Sequence, residues 1–558
     1  MVSLGLLVLA VTASLAEQTA PALPRPADLG ISGTLVDSVS GQPLARARVA
    51  IAPVSERDNL TTVITGQDGN FSFSGLMPGK YTLTAQARGY LTQSFDQHDR
   101  FASSIVVGPD LVSTGLLFRL PPEGLIVGVV TDEAGEAVRN AMVALYYTGL
   151  SGGVEATRSR GSASTDDDGR YHFGHLVPGR YLVAINARPW YARYTPRYAP
   201  NARVSVSGAS ASITNDQDGL SASTHAVASP PSQDTGNTQL DVAYPVTFYG
   251  GETDASKAMP IVLAAGDRVQ ADVTLQPVHA LHLRLSGGQG ESGLQPWVML
   301  EKSVLDGPPV FVMTGGGQEI VGVAPGRYLM KTYGNGSDAN GNESREVDLT
   351  AVGELDRSLG NPYAQITAKV EVDPSALSPQ ASMQLLNKKT RETVVGRLGS
   401  DGEVVFKNGV PPGSYEVSIS TTAGIYLKSL MATGTAVSGR TIEVRSGGNI
   451  KMLVTTARGQ ARITGTAQRD GKPVAGVMIV LVPADPAHNE VLFRRDQSDS
   501  DGTFTLASVV PGKYTLLAIE KGWELEWMNP DVLRSYLGRG VAVEVRENDK
   551  YDIKVPVQ

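Results

Sequence analysis

The chain contains no cysteine. That excludes disulfides, thiolate metal sites, a cysteine nucleophile and a lipobox-type lipid anchor. Histidine is scarce, with seven in 558 residues, and none is followed three residues later by Glu, so no His-x-x-Glu zinc-ligand pair can be assembled. No long Lys/Arg block is present, and the formal net charge is -8. Such a chain is a poor partner for nucleic acid, because phosphate neutralisation supplies most of that affinity. Its overall field also opposes an anionic membrane surface. No sustained helical apolar period occurs, so helices are expected to be few. Past the N-terminus no apolar run reaches the roughly 20 residues that a membrane span needs.

Glycine (61) and proline (33) are plentiful and spread along the chain, as expected of many short strands joined by tight turns. At about 100–200 residues per domain, the length predicts three to five domains. At the N-terminus, Val2 to Val11 is mostly apolar, Ser14-Leu15-Ala16 is a small-x-small exit, and Gln18 to Pro26 is Pro-rich. This pattern predicts a signal peptide over residues 1–16 and an extracytoplasmic protein with no membrane span after cleavage.

A tetrapeptide Pro-Gly-x-Tyr recurs five times, ending at Tyr81, Tyr181, Tyr328, Tyr415 and Tyr514. Each copy sits in a longer frame. In the first, Asp68-Gly69, Phe71, Phe73 and Leu76 precede Pro78-Gly79, Tyr81 and Leu83. Asp168-Gly169, Tyr171, Phe173 and Leu176 keep the same spacing in the second, and Asp501-Gly502, Phe504 and Leu506 keep it in the fifth. The fourth, with Asp401-Gly402, Val404 and Phe406, is one residue longer; in the third, Gly316-Gly317 replaces Asp-Gly. Asp-Gly supplies positive φ for a tight hairpin. Apolar residues two apart place one strand face in a core. Pro-Gly makes a second turn, with Gly expected in the left-handed region. Upstream, Gly33, Gly128 and Gly465 open a strand that leads through a turn to an alternating strand. About seven short strands per ~90 residues predict a sandwich.

The pattern Gly-x-Val-x-Asp…Gly-x-Pro-Leu…Thr-x-x-Asp-Gly-x-Phe-x-Phe-x-x-Leu-x-Pro-Gly-x-Tyr resembles the carboxypeptidase regulatory-like domain. It is similar also to stalk repeats of bacterial surface adhesins. The resemblance implies an all-β chain: a tandem array of about five transthyretin-like or immunoglobulin-like β-sandwich modules. The expected divisions are a linker at 17–27, module 1 at 28–121, module 2 at 122–280 with a flexible insertion at about 201–239, a degenerate module 3 at 281–360, module 4 at 361–457 and module 5 at 458–558. It also implies the accessory domain without its enzyme.

The remaining motifs offer little chemistry. His172/His175 and His279/His282 are each three apart, which on a strand puts them on opposite sides and predicts exposed or edge histidines. Gly149-Leu-Ser-Gly-Gly153 matches a nucleophile elbow, but that motif needs a strand before it and a helix after it. Asp166–Asp168 and Asp496–Asp501 cluster carboxylates without completing a calcium loop, and turn chemistry explains them. An adhesin-type isopeptide needs a Lys on an early core strand, and Lys369 is the one plausible donor. No catalytic residue, metal site or cofactor is expected.

Aromatics are the remaining lead. Tyr90, Trp190 and Trp523 each lie nine residues after the repeat tyrosine. Trp190 is surrounded by Tyr191, Arg193 and Tyr194, and Trp527 follows Trp523. Exposed aromatic rings stack on sugar faces; buried ones staple a loop to the sandwich edge. The candidate ligand-binding residues are therefore Trp190, Tyr191, Arg193, Tyr194, Trp523 and Trp527. The expected function is an exported, non-enzymatic binding or scaffold protein whose partner is a carbohydrate, a cell-surface component or another protein. The alternatives are a structural stalk, or an accessory module of a peptidase or outer-membrane transporter.

Overall fold

The computed structural model describes residues 29–194, 238–287, 297–302, 310–314, 319–333, 343–349, 353–356, 361–371, 381–420 and 424–558. The predicted signal peptide and nearly all of the 201–239 insertion lie outside these residues. The chain is all-β. One α-helix, Pro530–Leu537, and four 3-10 turns are found among the described residues.

Module 1 shows the plan. One sheet orders Asn70–Phe73, Ile31–Asp37 and Leu116–Leu120; the other is built on Arg48–Pro53 and Gly79–Gln86. Alternating residues point inward, so Phe71, Phe73, Tyr81 and Leu83 are buried between the sheets. Each such large side chain stabilises by about 1.5–3 kcal/mol relative to exposure. Among the described residues five such buried clusters lie within the stretches 31–120, 126–275, 281–355, 364–454 and 461–555; in 364–454 the two layers are joined into one nine-stranded sheet. In all five the last strand returns parallel to the first, as Leu116–Leu120 does on Ile31–Asp37 and Lys550–Pro556 on Ala461–Arg469. A hairpin cannot make that pairing, so the chain must close each sandwich before leaving it.

The parallel closing strand explains the first-strand glycine. A Cβ on Gly33, Gly128 or Gly465 would lie 2.2, 2.2 or 2.1 Å from a carbonyl oxygen of the returning strand, at Leu116, Ala271 or Ile553. Opposite these glycines stand Phe71, Tyr171 and Phe504, the first aromatics of the repeat frame.

The two turns of the frame differ from their expected form. Gly69, Gly169, Gly402 and Gly502 do adopt left-handed φ of 71, 71, 81 and 80°. However, in modules 1, 2 and 5 the turn carries the chain from one sheet to the other; only in module 4 do its flanking strands pair, Arg397↔Val405 and Leu398↔Val404. The Pro-Gly glycines sit at φ of 148–159°, an extended conformation outside the left-handed helical well. That shape swings the chain back to the second sheet, and the repeat tyrosine locks it. In all five modules the tyrosine hydroxyl donates to the carbonyl four residues earlier: Tyr81 to Met77 (2.9 Å), Tyr181 to Val177 (2.6 Å), Tyr328 to Ala324 (2.7 Å), Tyr415 to Pro411 (2.9 Å) and Tyr514 to Val510 (2.7 Å).

The modules are not strung end to end. Module 5 touches modules 1, 2 and 4. Ser500 N–H donates to Ser104 O in module 1 (3.0 Å), and Met528 N–H to Gly153 O in module 2 (3.0 Å). Arg391 of module 4 pairs with Glu490 (2.6 Å). On the outer side of module 5's second sheet, the Pro530–Leu537 helix and the Trp523–Met528 segment build a further apolar layer on Met478, Val480, Leu517 and Ile519. Met478–Pro483 is consequently buried on both faces, which its unbroken apolar sequence reflects.

Candidate functional site

Most polar groups of the repeat frame have structural work. Thr65, Thr165 and Ser498 are buried; each hydroxyl donates to a carbonyl (Leu44, Val138, Val474) and accepts from a backbone N–H (Ala47, Ala141, Val477). Asp68, Asp166 and Asp501 carboxylates accept turn amides at 3.1, 2.7 and 3.0 Å. No group of three or more His, Asp or Glu able to hold a metal occurs among the described residues. Gly149–Gly153 lies in a β-hairpin between Met142–Ser151 and Val154–Ser164, without the helix an elbow requires. Lys369 is exposed and donates to Asp401 O (2.7 Å).

One histidine departs from expectation. His279 is exposed, but His282 is 1% exposed. Its Nε2 lies 2.8 Å from Asp241 and its Nδ1 3.1 Å from Glu319. Carboxylates accept hydrogen bonds, so the two acids orient the ring and tie module 2 to module 3. The signal missed in the sequence was Asp241, 41 residues upstream.

The position nine residues after the repeat tyrosine has three fates. In module 1, Tyr90 donates to Asp37 (2.8 Å) at the end of the first strand. Burial and that bond push the Tyr90 phenol up to about 12. In module 2 the stapling role passes to the next residue: Tyr191 donates to Glu133, which also accepts from Tyr244 (2.8 Å). Burial raises the Glu133 carboxyl, but hydrogen bonds from Tyr191, its own backbone N–H and Tyr244 together outweigh it and hold the group below its ordinary value. Trp190 is thereby released outward and stands 84% exposed. Its ring meets Tyr191 edge-on at 5.9 Å. Arg188 and Arg193 are exposed beside it in sequence.

In module 5, Trp523 stacks on His98 of module 1 at 3.9 Å and 9°. Trp527 is buried, packing on Phe493 at 6.2 Å. Arg495 lies over both Trp527 (5.7 Å) and module 1's Phe101 (4.4 Å). Tyr194 is also engaged: its hydroxyl donates to Val242 O (2.9 Å), Arg188 lies 4.8 Å above its ring, and the ring covers Gly322 of module 3. Arg193 N–H donates to Leu240 O (2.8 Å), leaving its side chain exposed. The six candidates thus fall into two places. Trp190, Tyr191, Arg193 and Tyr194 share the module 2 surface, and Trp523 and Trp527 belong to the contact between modules 1 and 5.

A crevice of about 370 Å³ lies between modules 4 and 5, lined by Tyr426, Leu430, Arg440, Asn489 and Glu547 among others. Arg440 there is buried and donates to Leu427 O (2.6 Å), so its guanidinium is tied to the wall.

These features define a class: an all-β protein of several two-sheet modules. More particularly, residues 30–112 match the family model of the carboxypeptidase regulatory-like domain. No curated protein matches the chain. Among solved structures, the Bacillus anthracis TIE protein aligns at 12% identity over 93% of this chain and 69% of its own, with a TM-score of 0.15. The minor pilin of Streptococcus agalactiae aligns at 9% over 45% and 96%, with a TM-score of 0.21. The major pilin subunit of Bacillus cereus aligns at 10% over 78% and 99%, with a TM-score of 0.14.

Proposed function

We propose that the chain is a non-enzymatic, extracytoplasmic scaffold that presents the Trp190 surface of module 2 to a carbohydrate or other cell-surface ligand. The observation that carries this reading is the exposure of Trp190. Its counterpart Tyr90 is bound to Asp37, and Trp523 is stacked on His98. Among the described residues Trp190 meets its neighbour Tyr191 rather than an acid or another module, and an 84% exposed tryptophan is a poor use of apolar area in a purely architectural module. A flat, rigid ring stacks on the apolar face of a sugar, and Arg193 supplies donors for hydroxyl or carboxylate oxygens. The scaffold part is supported by the repeat frame, whose Thr/Ser, Asp and Tyr groups are engaged in turns and sheet crossings.

The test is a glycan array probed with the whole protein and with Trp190→Ala. The reading expects a ligand whose signal falls at least tenfold in the variant. An array without hits, or equal binding by both proteins, defeats it.

A further inference from the structure

Modules 1 and 5 meet through surfaces that each module completes without the other. None of the buried apolar clusters among the described residues draws on both. The contact instead combines the Trp523–His98 ring stack and Arg495 over Phe101 with directed polar bonds. Ser500 N–H donates to Ser104 O (3.0 Å), Ser104 N–H to Asp499 Oδ1 (2.8 Å), and Val106 N–H to Ser500 Oγ (2.8 Å). The Asp499–Asp501 turn thereby hydrogen-bonds to the Ser104 and Val106 backbone at one edge of module 1's Ile105–Val107 strand. Ser103 Oγ donates to Ser498 O (2.9 Å), and Gln497 Nε2 to Asp96 O (2.6 Å). Lys80 pairs with Asp499 at 2.5 Å.

The closure also leaves one group poorly satisfied. Arg495 is 9% exposed, and its Nε and Nη2 have no hydrogen-bond partner. Separating the modules rehydrates the Arg495 guanidinium and exposes no shared core. A contact of this composition resembles an association surface more than a domain interior.

Every copy of the chain carries both halves, the Lys80 and Asp96–Val106 surface on module 1 and the Arg495–Asp501 and Trp523 surface on module 5. We infer that module 1 of one copy docks on module 5 of a second copy through these same contacts. The occupant is another copy because its module 1 presents the complement already seen on this face. Such an exchange joins unlike surfaces, so it builds head-to-tail rings or open chains. Tethering gives the internal contact an effective concentration on the order of millimolar, so the unaltered chain closes on itself in dilute solution.

Two charge-reversed full-length chains test this, Lys80→Glu carrying Ser104→Cys and Asp499→Lys carrying Ser500→Cys. Each reversal sets like charges against each other within its own chain, while the mixture restores an opposite pair across copies. Because the natural sequence has no cysteine, a disulfide between the two different chains reports their juxtaposition. The expected result is a 1:1 complex by light scattering in the mixture alone, with a reducible link between position 104 of one chain and position 500 of the other. Circular dichroism and hydrogen exchange of the module cores verify that both variants fold. Folded variants that remain uncomplexed and unlinked when mixed overturn the inference.

Discussion

The sharpest perturbation removes one oxygen from each repeat tyrosine. Tyr→Phe keeps the ring in the core and deletes the hydroxyl that satisfies the carbonyl four residues earlier. The bonds of Tyr328 and Tyr514 are buried, whereas those of Tyr81, Tyr181 and Tyr415 are partly buried. A hydrogen bond contributes net about 0.5–1.5 kcal/mol, and orphaning a buried acceptor costs about 1–3 kcal/mol. The expected loss is therefore about 1–2 kcal/mol for Tyr328→Phe and Tyr514→Phe, and about 0.5–1 kcal/mol for the other three. A five-module chain does not unfold as one two-state unit, so the assay is hydrogen exchange by mass spectrometry, peptide by peptide. One to two kcal/mol corresponds to about 5- to 30-fold faster exchange, confined to strands of the altered module. Tyr514→Ala, which also empties the core site, should cost about 3–5 kcal/mol. Five Phe variants with unchanged exchange, or Phe and Ala variants of equal cost, would refute the idea that the hydroxyl bond is what the repeat preserves.

Three further outcomes are expected. Gly169→Ala forces a Cβ to 2.5 Å from Val130 O at φ 71°, so module 2 should lose at least about 2 kcal/mol in denaturant-resolved exchange, the left-handed backbone alone costing about 1–2. Burial raises the Asp496 carboxyl from 3.8 to about 6; the folded state holds that proton more tightly, so this group makes module 5 more stable as pH falls from about 7 to about 4. The gain is up to about 3 kcal/mol, and Asp496→Asn should remove that slope in melting curves taken across the window. Trp190→Ala should leave thermal stability within about 0.5 kcal/mol, since an exposed side chain is removed; a larger loss would show that the ring supports the fold and is not free for a ligand.

Local rules made much of each module legible. The spacing of Asp-Gly, paired aromatics and Pro-Gly-x-Tyr locates a turn, a strand, a second turn and a second strand, and all are present in modules 1, 2, 4 and 5. What spacing could not say is which sheet each strand joins. A turn with Gly69 at φ 71° looks the same whether its strands pair or diverge, and here Thr61–Ile64 and Asn70–Phe73 belong to different sheets. The Pro-Gly geometry differs from its expected form for a similar reason: a glycine can leave the ordinary φ range in more than one direction, and here the extended one accompanies the tyrosine hydroxyl bond in all five modules.

The candidate site was legible in its aromatic residues but not in how they divide. Trp190 and Trp523 occupy the same repeat position, and sequence spacing alone treats them alike. Their fates separate because Tyr191 can reach Glu133 and so frees Trp190, whereas Trp523 meets a histidine from a module more than 400 residues earlier. Beside that ring stack and Arg495 over Phe101, the hydrogen-bonding partners in the second contact include Ser, Gln, Asp and Lys, residue types that carry no periodic signal and are ordinarily solvated. A docking surface built from them leaves no trace in hydropathy or spacing. It becomes visible only when Asp499 and Ser500, in a turn whose repeat counterpart in module 1 bonds within its own sandwich, are seen bonded to the Ser104 and Val106 backbone. The repeat frame therefore specifies the modules, and the departures from it, at Trp190 and at the Asp499–Asp501 turn, specify what the modules meet.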